Sequence, residues 1–253
     1  PTTVSVVFGS LIGLISLFFY LYFVKKTRIK LTPTLPLLVI FLVAAIKGVV
    51  WFKAFTLIPV AQAMFTHNLA PGITLILAPI LIREKPHLNH LLAILTGVFG
   101  LYVLLNIGTF TVFLQLGIIF SLVAAISSSL QDIAQRRLSA SVSSMDQAIV
   151  FILGQILGSV FFLVPQSHVS LTWIDLGALT YFGIVGTALP IVLLTKAFTG
   201  LRSFEVATIG YVEPVLGALW AALFLHQPIL PTTLIGGALI FFSGLTAVRN
   251  RES

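Results

Sequence analysis

The sequence predicts an all-α, polytopic membrane protein, an inverted-repeat helical bundle with nine spanning helices visible out of an expected five plus five. Three observations predict it. Of 253 residues, 58% are hydrophobic and only 8% charged, with a mean hydropathy of +1.12, whereas an ordinary globular domain is about a quarter charged. Apolar stretches of the ~20 residues that a bilayer requires follow one another almost end to end. A short pattern around Lys53 recurs around Lys196 in the second half of the chain.

Taken in order, apolar windows and their polar boundaries place helices at 3–24, 34–54, 60–82, 88–105, 112–136, 146–165, 173–195, 204–225 and 231–248. The first is read as a mature span rather than a cleaved leader, because Lys25 and Lys26 follow it and no small-residue cleavage site does. Turn-forming or charged residues separate the rest: Lys25–Pro33, Pro59, Arg83–Pro86, Asn106–Thr111, Ser139–Ser144, Pro165–Thr172, Thr199–Ser203 and His226–Pro231. Every connection is too short for a lid or a soluble domain.

Orientation follows from the 14 Lys and Arg residues, since basic loops stay on the cytoplasmic side. With the first helix ending inside, Lys25, Lys26, Arg28, Lys30, Arg83, Lys85, Arg136, Arg137, Lys196, Arg202, Arg249 and Arg251 all fall inside. Lys47 and Lys53 lie within a helix, and the external loops carry none. A multi-pass protein of the plasma (inner) membrane with a cytoplasmic C-terminus is expected. The net charge of +7 and the pI of about 10.0 therefore reflect topology. No basic stripe interleaved with aromatics marks a nucleic-acid partner. The expected partners are the bilayer and a small-molecule substrate, with a monomer and a homodimer both open.

Phe52-Lys53-Ala54-Phe55-Thr56 returns as Thr195-Lys196-Ala197-Phe198-Thr199, a shift of 143 from Phe52 to Thr195. The same shift carries Pro71 onto Pro214 and Ala78 onto Ala221. Slips of one and two align Gly100 with Gly244, and Gly9 and Gly13 with Gly154 and Gly158. Helix 112–136 has no partner, and its counterpart would precede residue 1. The expected organisation is thus a first repeat over 1–105 lacking its first helix, and a second over 112–248. An odd number of helices per repeat inverts the second relative to the first. That architecture builds a site near the midplane and alternates access to it.

The two copies share a Lys-Ala-Phe helix end, a turn, a helix with a central Pro, a polar or acidic end and a Gly-bearing last helix. They read Phe52–Thr56, Leu69-Ala70-Pro71, Arg83-Glu84-Lys85, Gly97 and Gly100; then Thr195–Thr199, Val212-Glu213-Pro214-Val215, His226-Gln227-Pro228, Gly236, Gly237 and Gly244. In this the chain resembles EamA-type members of the drug/metabolite transporter superfamily over nearly its whole length. Gln227 stands where that family often carries an acid. The resemblance implies ten helices, cytoplasmic termini and a central cavity. It also implies a secondary transporter or facilitator exporting amino acids, related metabolites or drugs. Open alternatives are a sugar-phosphate or nucleotide-sugar exchanger, a membrane assembly scaffold and an intramembrane enzyme.

Ionisable groups at membrane depth are functional candidates because they cost about 2.5–3.5 kcal/mol to insert. Lys47 and Glu213 are such groups, either for substrate recognition or proton coupling, or as a structural pair. Trp51, His67, Asn68 and Tyr211 complete the candidate substrate-binding or coupling set, with Pro71 and Pro214 as helix breaks. Lys53 near a helix end can snorkel. Gln62, Gln155, Tyr181 and Thr187 are further possible liners. Gln131, Asp132 and Gln135, just before Arg136-Arg137, read as a polar face held by interfacial solvation or an intrahelical ion pair, while the Gly9/Gly13 and Gly154/Gly158 pairs with Ser127–Ser129 read as packing seams. No catalytic residue, metal or cofactor is expected. The chain contains no cysteine, and no metalloprotease helix, phosphate-cradling glycine loop or nucleophile elbow is present. His87 and His90 lack a third ligand.

Overall fold

The computed structural model describes residues 2–26, 34–105, 116–160, 172–226 and 229–249. The expected loops around 27–33, 106–111 and 165–171 lie outside the described residues, as do Arg28, Lys30, Gln227, Pro228 and Arg251. Among the described residues there is no strand. The elements are α1 (Thr2–Phe19), running into a π-helical turn at Tyr20–Lys25, α2 (Leu35–Leu57), α3 (Val60–His67), α4 (Ala70–Ile82), α5 (Leu88–Leu104) and α6 (Leu116–Leu138). There follow α7 (Ser144–Val160), α8 (Trp173–Gly183), a second π turn at Ile184–Ala188, α9 (Leu189–Ala197), α10 (Ser203–Ile209), α11 (Val212–Leu225) and α12 (Pro231–Arg249).

Three of the expected helices are each divided in two, at Asn68–Leu69, at the π turn Ile184–Ala188 and at Gly210–Tyr211. Counted as spans, the described residues form nine. Six are long and apolar enough to cross a bilayer: Val6–Lys25, Leu35–Leu57, Val60–Ile82, Leu116–Leu138, Trp173–Ala197 and Ser203–Phe224. Leu88–Leu104, Ser144–Val160 and Pro231–Ala247 are shorter apolar helices. The protein is a multi-pass membrane protein. Large side chains such as Ile15, Ile80, Phe224 and Phe241 are exposed, which in water would be a liability and in a bilayer is the solvated state.

The helices gather into two compact units, each drawing on both halves of the sequence: Pro1–Phe52 with Ala134–Gly200, and Lys53–Ile133 with Leu201–Ser253. In the first unit, small residues allow backbones to touch. A Cβ on Gly13 would lie 2.6 Å from the Gly183 carbonyl, and one on Gly9 would strike the Phe182 ring. Cβ atoms on Gly154 and Gly158 would strike the carbonyls of Phe41 and Ala45. So α1 seats on α8 as α7 seats on α2. Leu17, Ile40, Ala44, Ile149, Phe151 and Ile152 fill the core between them.

In the second unit α5 and α12 pair extensively. Gly100 and Gly236 face each other: a Cβ on the first would meet the Gly236 carbonyl at 2.9 Å, and a Cβ on the second the Gly100 carbonyl at 2.5 Å. Ser243 Oγ donates to the Ala93 carbonyl at 2.6 Å across the same seam. Without a hydrophobic force between helices in lipid, such close contact and buried hydrogen bonding hold them together.

Candidate functional site

The second unit contains two interrupted spans. In the first, α3 ends at His67 and α4 begins at Ala70. Pro71 has no N–H for the His67 carbonyl, and its ring is tolerated because it falls in the first turn of α4. It therefore starts a second helix rather than kinking the middle of one. Asn68 closes α3, giving both its backbone N–H and its Nδ2 to the Met64 carbonyl at 2.9 and 2.8 Å. In the second interrupted span, Gly210 and Tyr211 separate α10 from α11. Pro214 again lies in a first turn, and the Glu213 N–H donates to the Gly210 carbonyl at 3.0 Å. The sequence shift of 143 carries Pro71 onto Pro214, so the two breaks occupy corresponding places in the two halves.

Three hydroxyls of α6 line the first break. His67 Nε2 and Ser128 Oγ are 3.0 Å apart, the Thr74 hydroxyl donates to Ser129 Oγ at 3.0 Å, and Ser121 Oγ donates to the Ala63 carbonyl at 3.2 Å. His67 and Asn68 are half-buried. Both breaks lean on one apolar cluster, in which Leu101, Leu104, Tyr211 and Ile240 are buried and Phe65, Val212 and Val215 pack against them.

Glu213 is exposed in the first turn of α11, where its carboxylate complements the positive helix end. It stands within the apolar span Ser203–Phe224. Tyr211 departs from the expected polar tip. Its ring is fully buried against the position that a Cβ on Gly97 would occupy, and its hydroxyl has no hydrogen-bond partner among the described residues. It packs beside the break as part of the apolar cluster. Lys47 and Trp51 are half-buried on α2, in the first unit.

Burial divides the other polar residues that the sequence singled out. Gln131 and Gln135 are 2% and 0% exposed, so these two side chains lie inside the protein rather than in interfacial solvent, while Asp132 beside them is half-buried. Tyr181 is 68% exposed on α8, whereas Thr187 is buried. His90 lies in helix α5, within the helix expected at 88–105, and is buried beside Glu205. Glu205 itself went unremarked in the sequence, because an acid near a helix start is ordinary; its burial depends on α5, more than a hundred residues away. Among the described residues no group of three or more acidic, His or Cys side chains is placed to hold a metal.

Residues 1–106 and 115–248 match the EamA-like transporter family. The chain belongs to the EamA-like transporter family. Two similar relatives, each a pseudopaline exporter CntI from a strain of Pseudomonas aeruginosa, are 25% identical over 219 residues, covering 85% of this chain and 75% of theirs. A solved crystal structure sharing 20% identity superposes with a TM-score of 0.78 over 100% of this chain and 88% of its own. At that identity it shows the fold alone. The family makes this EamA-like protein a membrane transporter, and its interrupted helices are the feature of the fold where transporters place ligands.

Proposed function

We propose that this EamA-like transporter exports a small zwitterionic metabolite, an amino acid or a derivative of one, by alternating access around the two helix breaks. The observation that carries this reading is Glu213, an exposed carboxylate in the middle of an apolar span at the second break. A charge facing lipid there would cost about 2.5–3.5 kcal/mol, so such groups face a watered cavity or a ligand. Each break sets helix ends of opposite polarity within the membrane: the ends of α3 and α10 carry partial negative charge, and the starts of α4 and α11 partial positive charge. A substrate amine fits Glu213 and the negative helix ends, while its carboxylate fits the positive start of α4. Export follows the relatives named as exporters. The charge pattern supports the plasma membrane and a cytoplasmic C-terminus.

The test is uptake of a panel of radiolabelled amino acids into proteoliposomes, with and without a pH gradient. Saturable flux that Glu213→Gln lowers at least tenfold, in folded protein, is the expected result. Equal flux in wild type and Glu213→Gln would remove this residue from the site, and no flux of any amino acid would remove the substrate class.

A further inference from the structure

At one end of the second unit, α4, α5 and α10 are joined by polar contacts that the substrate site does not use. α4 ends at Ile82, and Arg83 turns the chain through a left-handed conformation (φ 59°), bringing Glu84 to the start of α10. Glu84 Oε2 accepts from the Ser203 N–H at 3.0 Å and from its hydroxyl at 2.6 Å. A carboxylate from one helix end thus caps another helix. Arg202 Nη1 donates to the Lys85 carbonyl at 2.9 Å, and the Arg202 N–H donates to Glu205 Oε2 at 2.7 Å. Glu205 Oε1 lies 3.7 Å from His90 Nε2, both side chains 2% exposed. His90 Nδ1 accepts from the His87 N–H at 2.9 Å, which in the neutral ring leaves the proton on Nε2, facing Glu205. The buried Phe204 ring stands edge-on to His90 at 4.6 Å.

The repeat provides an internal control. The shift of 143 relates Glu84 to Gln227, Ser203 to Val60, Arg202 to Pro59, Glu205 to Gln62 and His90 to Thr233. None of the network's charged groups has a charged counterpart. The backbone is equally one-sided. α4 and α5 both pack on α10, whereas the corresponding pairs, α11 with α3 and α12 with α3, make no comparable contact among the described residues. When two inverted repeats exchange conformations, a contact closed at one end becomes the open arrangement now seen at the other.

We propose that the Glu84–Ser203–Arg202–Glu205–His90 network is a one-sided gate: closed here, it parts in the opposite access state, while α3 and α11 come together at the other end. The proposal rests on the alternating-access reading above. Two identical inverted repeats would populate both states equally, so charges present at one end alone bias the protein towards the state that this end closes. The charge pattern puts that end in the cytoplasm.

These 253 residues contain no cysteine, and with any cysteine elsewhere in the full-length protein replaced by serine, introduced cysteines can be spin-labelled without background. In full-length protein in nanodiscs, the pair Leu88→Cys with Leu201→Cys reads the gate end, and Val60→Cys with Leu230→Cys reads the opposite end, by pulsed electron–electron distance measurement. Two distances at each end are expected, the short one at the gate coinciding with the long one opposite. Glu84→Gln should raise the long-to-short ratio at the gate about tenfold, the ratio that about 1.4 kcal/mol commands, and Ser203→Ala should move it the same way by less. A single short gate distance in both variants, with the opposite end still switching, overturns the gate and leaves the proposed function standing. Lengthening at both ends together overturns it as simple loosening. Fixed distances at both ends in every protein remove alternating access, and the gate with it.

Discussion

Gly236 gives the sharpest test of what holds the second unit together. A Cβ at this position would sit 2.5 Å from the Gly100 carbonyl and from the Leu104 nitrogen, both backbone atoms that no rotamer change can move. Ordinary contact begins at about 3.4–4 Å, so Gly236→Ala must push α5 and α12 apart by about 1 Å. A gap of that size forfeits a quarter to a half of each dispersion contact along the seam. It also stretches the 2.6 Å bond from Ser243 to the Ala93 carbonyl to a length at which little of it remains. Overpacking of this kind costs about 1–3 kcal/mol and the lost hydrogen bond about 0.5–1.5. Against this stands the helix-propensity gain of Gly to Ala, about 1 kcal/mol. Gly244→Ala is the matched control: same helix, same propensity gain, and nothing within 4 Å of the added Cβ. The difference between the two variants cancels propensity and should be about 2–4 kcal/mol. Reversible SDS-induced unfolding in mixed micelles, followed by tryptophan fluorescence, measures it. Two alanine variants within 0.5 kcal/mol of each other would refute the backbone-contact argument.

Three further predictions concern the site and the topology. A double-mutant cycle between His67→Ala and Ser128→Ala, read by the same unfolding assay, should give a coupling of about 0.5–1.5 kcal/mol, since their 3.0 Å contact is half-buried; additive effects would exclude it. Tyr211→Phe should keep transport and fold within about 1 kcal/mol of wild type, because the buried hydroxyl it removes has no hydrogen-bond partner among the described residues; loss of flux with intact fold would return Tyr211 to the substrate site. In intact cells, an impermeant maleimide should label Lys53→Cys but spare Arg137→Cys, both of which are exposed; the reverse pattern would invert the orientation drawn from the charges.

Span positions were legible because insertion depends on local sums. Leu35–Leu57 and Val60–Ile82 are apolar enough to be recognised residue by residue, whatever they pack against. The near-coincidence of expected and observed boundaries follows from that. Rotation about each helix axis was not legible. Helices apolar all round carry no stripe to mark their packed side, which is why Gln131 and Gln135 read as interfacial yet lie inside. The prolines were recognised as breaks, but the place where each helix stops was decided by Asn68 and Gly210, whose neighbouring turns close α3 and α10.

By itself, then, the sequence determined the membrane as solvent, the number of visible spans and the kinship of Lys53–Thr56 with Lys196–Thr199. Each of these is a property of a segment or of a comparison between segments. Only the tertiary structure decided that Gly100 meets Gly236, that Ser128 reaches His67, and that Glu84 caps a helix beginning at Ser203, 119 positions away. These are meetings of surfaces. In a bilayer, where lipid satisfies any apolar face equally well, close backbone approach and buried polar contacts choose the partners, and neither is written in the order of residues along one helix.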